Sequence, residues 1–171
     1  MVVKVAVDNN ILGYLGETEE RIAKCLKTKK AIEKALVRME YSKIFTKIVC
    51  SNPRIKAVVP ILVMYEFRKA PPEVRINVKK YMKCFHWSMN ERAYKKALNI
   101  KISPKLKHIK ESDLRILIES SYLRCRYLIT YDNEDLIKNE DLIRKELKKL
   151  KISVPKIITP EDFINLLYIP K

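Results

Sequence analysis

Residues 2–7 read Val-Val-Lys-Val-Ala-Val, apolar at five of six consecutive positions, and run straight into Asp8-Asn9-Asn10. A strand with one face in water alternates apolar and polar residues. A near-continuous apolar run demands cover on both faces, which is the habit of parallel sheets packed between helices. Three further runs fit strands: Ala57–Pro60, Tyr127–Thr130 and Lys156–Ile158, with a shorter candidate at Phe85–Met89.

Between them lie segments of helical spacing. A turn of helix begins over Ile11–Leu15. Glu17–Glu40 carries Ile22, Cys25, Leu26, Ile32, Leu36 and Met39 inward, and Tyr41–Val49 continues it. Asn52-Pro53 marks a turn. Ile61–Arg68 is helical up to Pro71-Pro72, and Glu73–Cys84 is helical again. Asn90 caps Glu91–Ile100, and Ser112 caps Asp113–Arg124, whose inward positions are Leu114, Leu117, Ile118, Ser121 and Tyr122. Glu134–Leu150 and a last helix opened by Thr159-Pro160-Glu161 complete the series. The expectation is one α/β domain over residues 1–171, with a central, mostly parallel sheet of about four to five strands flanked by helices.

The longest apolar stretch, Ala57–Tyr65, falls far short of the roughly 20 residues of a membrane span. No charged-then-apolar leader opens the chain, so a cytoplasmic protein with no membrane partner is expected. Cys25, Cys50, Cys84 and Cys125 are scattered without a C-x-x-C pair, which argues for apolar packing over zinc or disulfides. The 36 Lys and Arg residues against 20 acids give a net charge of +16, which points to an anionic partner such as nucleic acid. A thermophile's lysine-rich surface also fits the 33% of charged residues, though ion pairing alone would keep the signs near balance.

The acids are placed unexpectedly. In parallel sheets, ligands gather at the carboxyl ends of the strands. Asp8 ends the first strand, Glu66 lies in an apolar run just beyond the second, Asp113 opens a helix, and Asp132 follows Tyr-Leu-Ile-Thr with Asp135 close behind. Each has a structural alternative. Asp8 can cap a helix, Asp113 can favour a helix dipole, and Asp132 can serve a turn. Glu66 among aliphatic and aromatic neighbours is costly to bury unpaired. Convergence on one rim explains all four together. Carboxylates without cysteine or histidine point to Mg²⁺ or Mn²⁺, and on a basic protein the matching substrate is a phosphodiester.

The series resembles a PIN domain, a metal-dependent ribonuclease fold found in toxin–antitoxin toxins and RNA-processing nucleases. VAVDNNIL is similar to the opening strand and Asp-(Thr/Ser)-(Asn/Ser) motif, with Asn9 in place of the usual hydroxyl. PILVMYEF resembles the segment with the family's glutamate, SDLRILIESSYLRCRYLITYDNEDL its Asp-headed helix and Thr-x-Asp-x-x-Asp close, and PKIITPEDFINLL its final strand and helix. Residues 70–110 match least.

The resemblance implies an α/β/α sandwich and metal-binding acids Asp8, Glu66, Asp113 and Asp132. It also implies an auxiliary Asp135, a polar organiser Asn10 and a supporting hydroxyl on Thr130. Cleavage to a 3′-hydroxyl and 5′-phosphate, a homodimer and an antitoxin partner would follow. Lys27, Lys29, Lys30, Lys105, Lys107 and Lys110 stand in polar segments suited to tracking an RNA backbone. Two other readings stay open: a PIN-like RNA-binding module without catalysis, and a basic DNA-binding domain, for which no helix-turn-helix is evident.

Overall fold

The computed structural model describes residues 2–168. Its apolar runs form five strands: β1 (Val3–Val7), β2 (Ile55–Val59), β3 (His86–Trp87), β4 (Tyr127–Ile129) and β5 (Lys156–Ile158). They lie in the order β3-β2-β1-β4-β5, every pair parallel. Val5, Ala6 and Val7 are fully buried, as cover on both faces requires. β2 starts at Ile55, two residues before the apolar run, because Val3 pairs opposite Ile55.

The helices are α1 (Asn9–Gly16), α2 (Glu19–Cys25), α3 (Lys29–Ser51), α4 (Ile61–Phe67), α5 (Pro72–Val78), α6 (Glu91–Asn99), α7 (Glu111–Tyr122), α8 (Glu140–Lys149) and α9 (Pro160–Tyr168). The chain steps outward from β1 through β2 to β3, then returns to the centre at β4 and continues to β5. Right-handed connections therefore place α6 and α7 on the face opposite α1, α3 and α5, giving an α/β/α sandwich. One large core joins both layers through the sheet. A smaller cluster of Ile22, Ala35 and Met39 sits apart, at the corner of α2 and α3.

Several boundaries differ from the sequence reading. The helix expected over Glu17–Glu40 is two, because Thr18 and Thr28 each use a hydroxyl to accept from the backbone N–H three residues on, at 3.2 Å. α3 then runs unbroken through Tyr41–Val49. The Glu73–Cys84 helix tightens to 3-10 geometry after Val78. The Glu134–Leu150 helix is interrupted at Lys138-Asn139, where the Asn139 amide donates to the carbonyls of Glu134 and Asp135 and closes the preceding turn. Ser112 is not the cap of α7. The cap position is Lys110, and Ser112 lies inside the first turn.

The inward face of α7 is also wider than expected. Ser121 and Tyr122 are half-buried, while Ile116, Glu119 and Ser120 are buried. Among the cysteines, all free, only Cys125 is buried; Cys25 and Cys50 are exposed.

Candidate metal centre

An order of β3-β2-β1-β4-β5 reverses direction between β1 and β4, and the crevice outside their carboxyl ends is where such sheets bind ligands. Asp8 follows β1 directly and Thr130, Tyr131 and Asp132 follow β4, so the two central strands deliver polar groups to that crevice. Glu66 arrives from α4 and Asp113 from the first turn of α7. Asp8, Asn9, Asn10, Glu66, Asp113 and Asp132 line one cleft of about 290 Å³, with Lys110 and Arg38 on its walls.

Asp8 is held by three hydrogen bonds. Its Oδ1 accepts from the Asn9 backbone N–H at 2.6 Å, which caps α1. Its Oδ2 accepts from the Asn10 amide at 2.6 Å and from the Thr130 hydroxyl at 2.7 Å. Capping and cleft position thus coexist. Asn10 accepts in turn from the Tyr131 N–H at 3.1 Å, and the Thr130 oxygen accepts from the Asp132 N–H at 2.9 Å. Asn10 and Thr130 therefore lock the ends of β1 and β4 together around one carboxylate. Asp132 accepts from the Asp135 N–H through Oδ1 at 3.0 Å, which turns the chain and brings Asp135 inward. Oxygens of Asp113, Asp132 and Asp135 all lie within 4.8 Å of one another. Asp135 thus belongs to the tightest acidic group, while Asp8 and Glu66 share the surrounding cleft.

The electrostatics record the crowding. Burial, with added repulsion from Glu66 and Asp132, raises the Asp8 carboxyl from 3.8 to about 6 despite the opposing Thr130 and Asn9 hydrogen bonds. Asp113 rises from 3.8 to about 7, again chiefly through burial. The neighbouring Lys110 opposes the rise, and Asp8, Asp132 and Glu66 reinforce it. Lys110 Nζ stands 3.6 Å from Asp113 Oδ1.

Such a pocket of like charges favours a cation. The donors are carboxylate oxygens, with no cysteine or histidine on the cleft, so Asp113, Asp132 and Asp135 could hold a metal ion through oxygen.

Three contributors escaped the sequence reading. Arg38, on α3, lies over the rings of Tyr131 and Tyr14 at 4.9 and 5.9 Å and donates to the Tyr14 hydroxyl at 3.3 Å. Tyr131 donates its hydroxyl to the Arg38 carbonyl at 3.0 Å, fastening α3 to the segment that carries Asp132. Glu119, fully buried on α7, accepts from the backbone N–H groups of Ile61 and Leu62 at 2.7 and 3.0 Å. The residue before α4 is Pro60, whose side chain has no acceptor, so Glu119 supplies the cap from a distant helix and fixes the element bearing Glu66. Burial pushes the Glu119 carboxyl up, against those two hydrogen bonds.

Of the six lysines assigned to RNA contact, Lys110 stands on the cleft. Lys27, Lys29, Lys30, Lys105 and Lys107 are exposed and lie outside its lining. Among the described residues no helix is long and apolar enough to cross a membrane. No protein-family model and no curated protein matches the chain.

Proposed function

We propose that this protein is a Mg²⁺- or Mn²⁺-dependent ribonuclease of the PIN type. The observation that carries the reading is the meeting of carboxylates from four separate segments in the central crevice of a chain with net charge +16. Asp8, Glu66, Asp113 and Asp132, with Asp135 beside them, would hold the ion through oxygen. When bound, the metal supplies Lewis acidity that lowers the pKa of a coordinated water and offsets charge on a phosphoryl oxygen.

The remaining work falls to the chain itself. Thr130 and Asn10 hold Asp8 in one orientation, and Glu119 holds α4 so that Glu66 faces the same space. Lys110 and Arg38 place positive charge on the cleft walls, where a phosphodiester's oxygens would be received. Asn9 contributes its backbone N–H to Asp8, a contact that requires no side-chain hydroxyl.

The test is incubation with labelled RNA and Mn²⁺, with and without chelator, beside an Asp8→Asn control. The expected result is cleavage abolished by either change. Cleavage indifferent to both would belong to a contaminant and remove the support. Binding without cleavage would favour the non-catalytic RNA-binding module.

A further inference from the structure

The chain has two glycines, Gly13 and Gly16, both in α1. Gly16 has a steric reason, since a Cβ there would collide with the main-chain carbonyl and side chain of Val74 on α5. Gly13 has none of this kind. A Cβ at Gly13 would meet nothing within 4 Å, and its backbone is ordinary helix. Glycine inside a helix weakens it and is retained where a backbone must stay open to a neighbour.

The space beside Gly13 is a second pocket, also of about 290 Å³, walled by Tyr14, Ile22, Leu26 and Ala35. It belongs to the small α2–α3 cluster rather than to the main core. It adjoins the acidic cleft, and the two share Asn10 and Tyr14. At this seam stands the Arg38 guanidinium, held by the Tyr14 hydroxyl and two rings, with no carboxylate ion pair among the described residues. Past Leu26 the connection carries exposed Lys27, and the first turn of α3 carries exposed Lys29 and Lys30.

We propose that the Gly13 pocket is a nucleobase subsite, receiving one unstacked base of a single RNA strand whose adjoining phosphate lies against Arg38 at the acidic cleft. This rests on the ribonuclease reading and specifies its substrate class. The pocket lies just under the roughly 300–1,000 Å³ typical of small-molecule sites, a size that suits one planar group. Its walls are apolar and aromatic, with polar edges at Asn10 and Glu17. The cationic seam on one side and the lysines on the other suit the phosphates on either side of such a base. A duplex keeps its bases stacked inside and offers none to the pocket, so the substrate is single-stranded.

Gly13→Leu fills the pocket, and Gly13→Ala is the conservative companion. The probes are a short single-stranded RNA, the same strand with an abasic residue scanned through each position, and Mn²⁺ alone. The Leu variant should melt no lower than wild type and take up Mn²⁺ equally well. In chelator it should bind the intact strand roughly tenfold more weakly, the scale of one lost base contact. Wild type should lose a similar factor at one abasic position, and on that strand the Leu substitution should add no further loss.

Equal binding of the intact strand by wild type and the Leu variant overturns the subsite and leaves the pocket to another occupant, such as a peptide segment. An equal loss on intact and abasic strands also overturns it, as a general distortion. If wild type neither binds nor cuts RNA with Mn²⁺, the ribonuclease reading falls and the subsite with it. Cleavage by wild type beside an unaffected Leu variant sinks the subsite alone.

Discussion

Asp113→Asn separates chemistry from architecture at this site. Asp113 is buried, and its carboxyl moves from 3.8 in the unfolded chain to about 7 in the fold. A rise of that size means that the ionised group opposes folding by up to about 4 kcal/mol well above pH 7. Asparagine removes the ionisation but also removes a negative charge from the first turn of α7, a loss of about 0.3–1 kcal/mol. The net expectation near pH 8 in chelator is a mutant about 3 kcal/mol more stable. At roughly 2–4 °C per kcal/mol for a chain of this size, it should melt about 6–12 °C higher.

The sign with pH follows from proton linkage. Because the folded pKa is the higher one, folded wild type binds more protons between 3.8 and about 7. Its stability is therefore fully present below 3.8 and lost as pH rises through about 7. The mutant's advantage should shrink on acidification from pH 8 and vanish near pH 4. Mn²⁺ at about a thousandfold excess over Kd should reverse the order, since ligand binding then stabilises the intact site by about 4.1 kcal/mol, more than the mutant's advantage. Circular-dichroism melts across this pH range, with chelator or Mn²⁺, provide the readout. A mutant that melts lower than wild type near pH 8 in chelator would refute the reasoning and leave Asp113 as a dipole partner for α7.

Three other perturbations have defined outcomes. Glu119→Ala strips two buried N–H groups of their acceptor and should destabilise by about 2–4 kcal/mol, with weaker Mn²⁺ binding than wild type even where the variant is folded; calorimetric melts and metal titration measure both. Gly16→Ala drives a Cβ into the Val74 backbone and should cost about 1–3 kcal/mol in a denaturant titration. RNA affinity measured against salt should fall on a log–log plot with a slope of about −0.7 per phosphate neutralised; a flat response would leave the lysines as ordinary solvated surface.

What the sequence disclosed depended on how local the cause was. The strands were legible because burial on both faces leaves an unbroken apolar signature, as in residues 2–7. Asp8 and Asp132 were legible as strand-end carboxylates because each closely follows an apolar run, although each also accepts a local structural hydrogen bond, from the Asn9 and Asp135 N–H groups. Glu119 was not, because its partners at Ile61 and Leu62 are nearly sixty positions away and helical spacing says nothing of them. The clue was Pro60, which leaves α4 without a cap of its own. Arg38 reads as one more cation among 36 until the fold brings Tyr131 onto its carbonyl. The broken helices were missed for a smaller reason: Thr18 and Thr28 fit a lysine-rich helical pattern yet act as caps.

The central position of β1 also governs when the site comes into being during synthesis. β1 is made first, yet its neighbour β4 is made more than a hundred residues later, and the Asp8–Thr130 hydrogen bond spans 122 positions. A nascent chain ending before Tyr127 holds β1, β2 and β3 with the β4-facing edge of β1 unpaired and only part of its acidic cleft. Loop closure on that scale must precede the contacts that reward it, so assembly of the crevice comes late and the exposed edge of β1 stays open meanwhile. Chains released early should therefore bind no Mn²⁺ at this site and remain prone to strand-edge association, whereas chains that have passed β5 gain both protection and the cleft together.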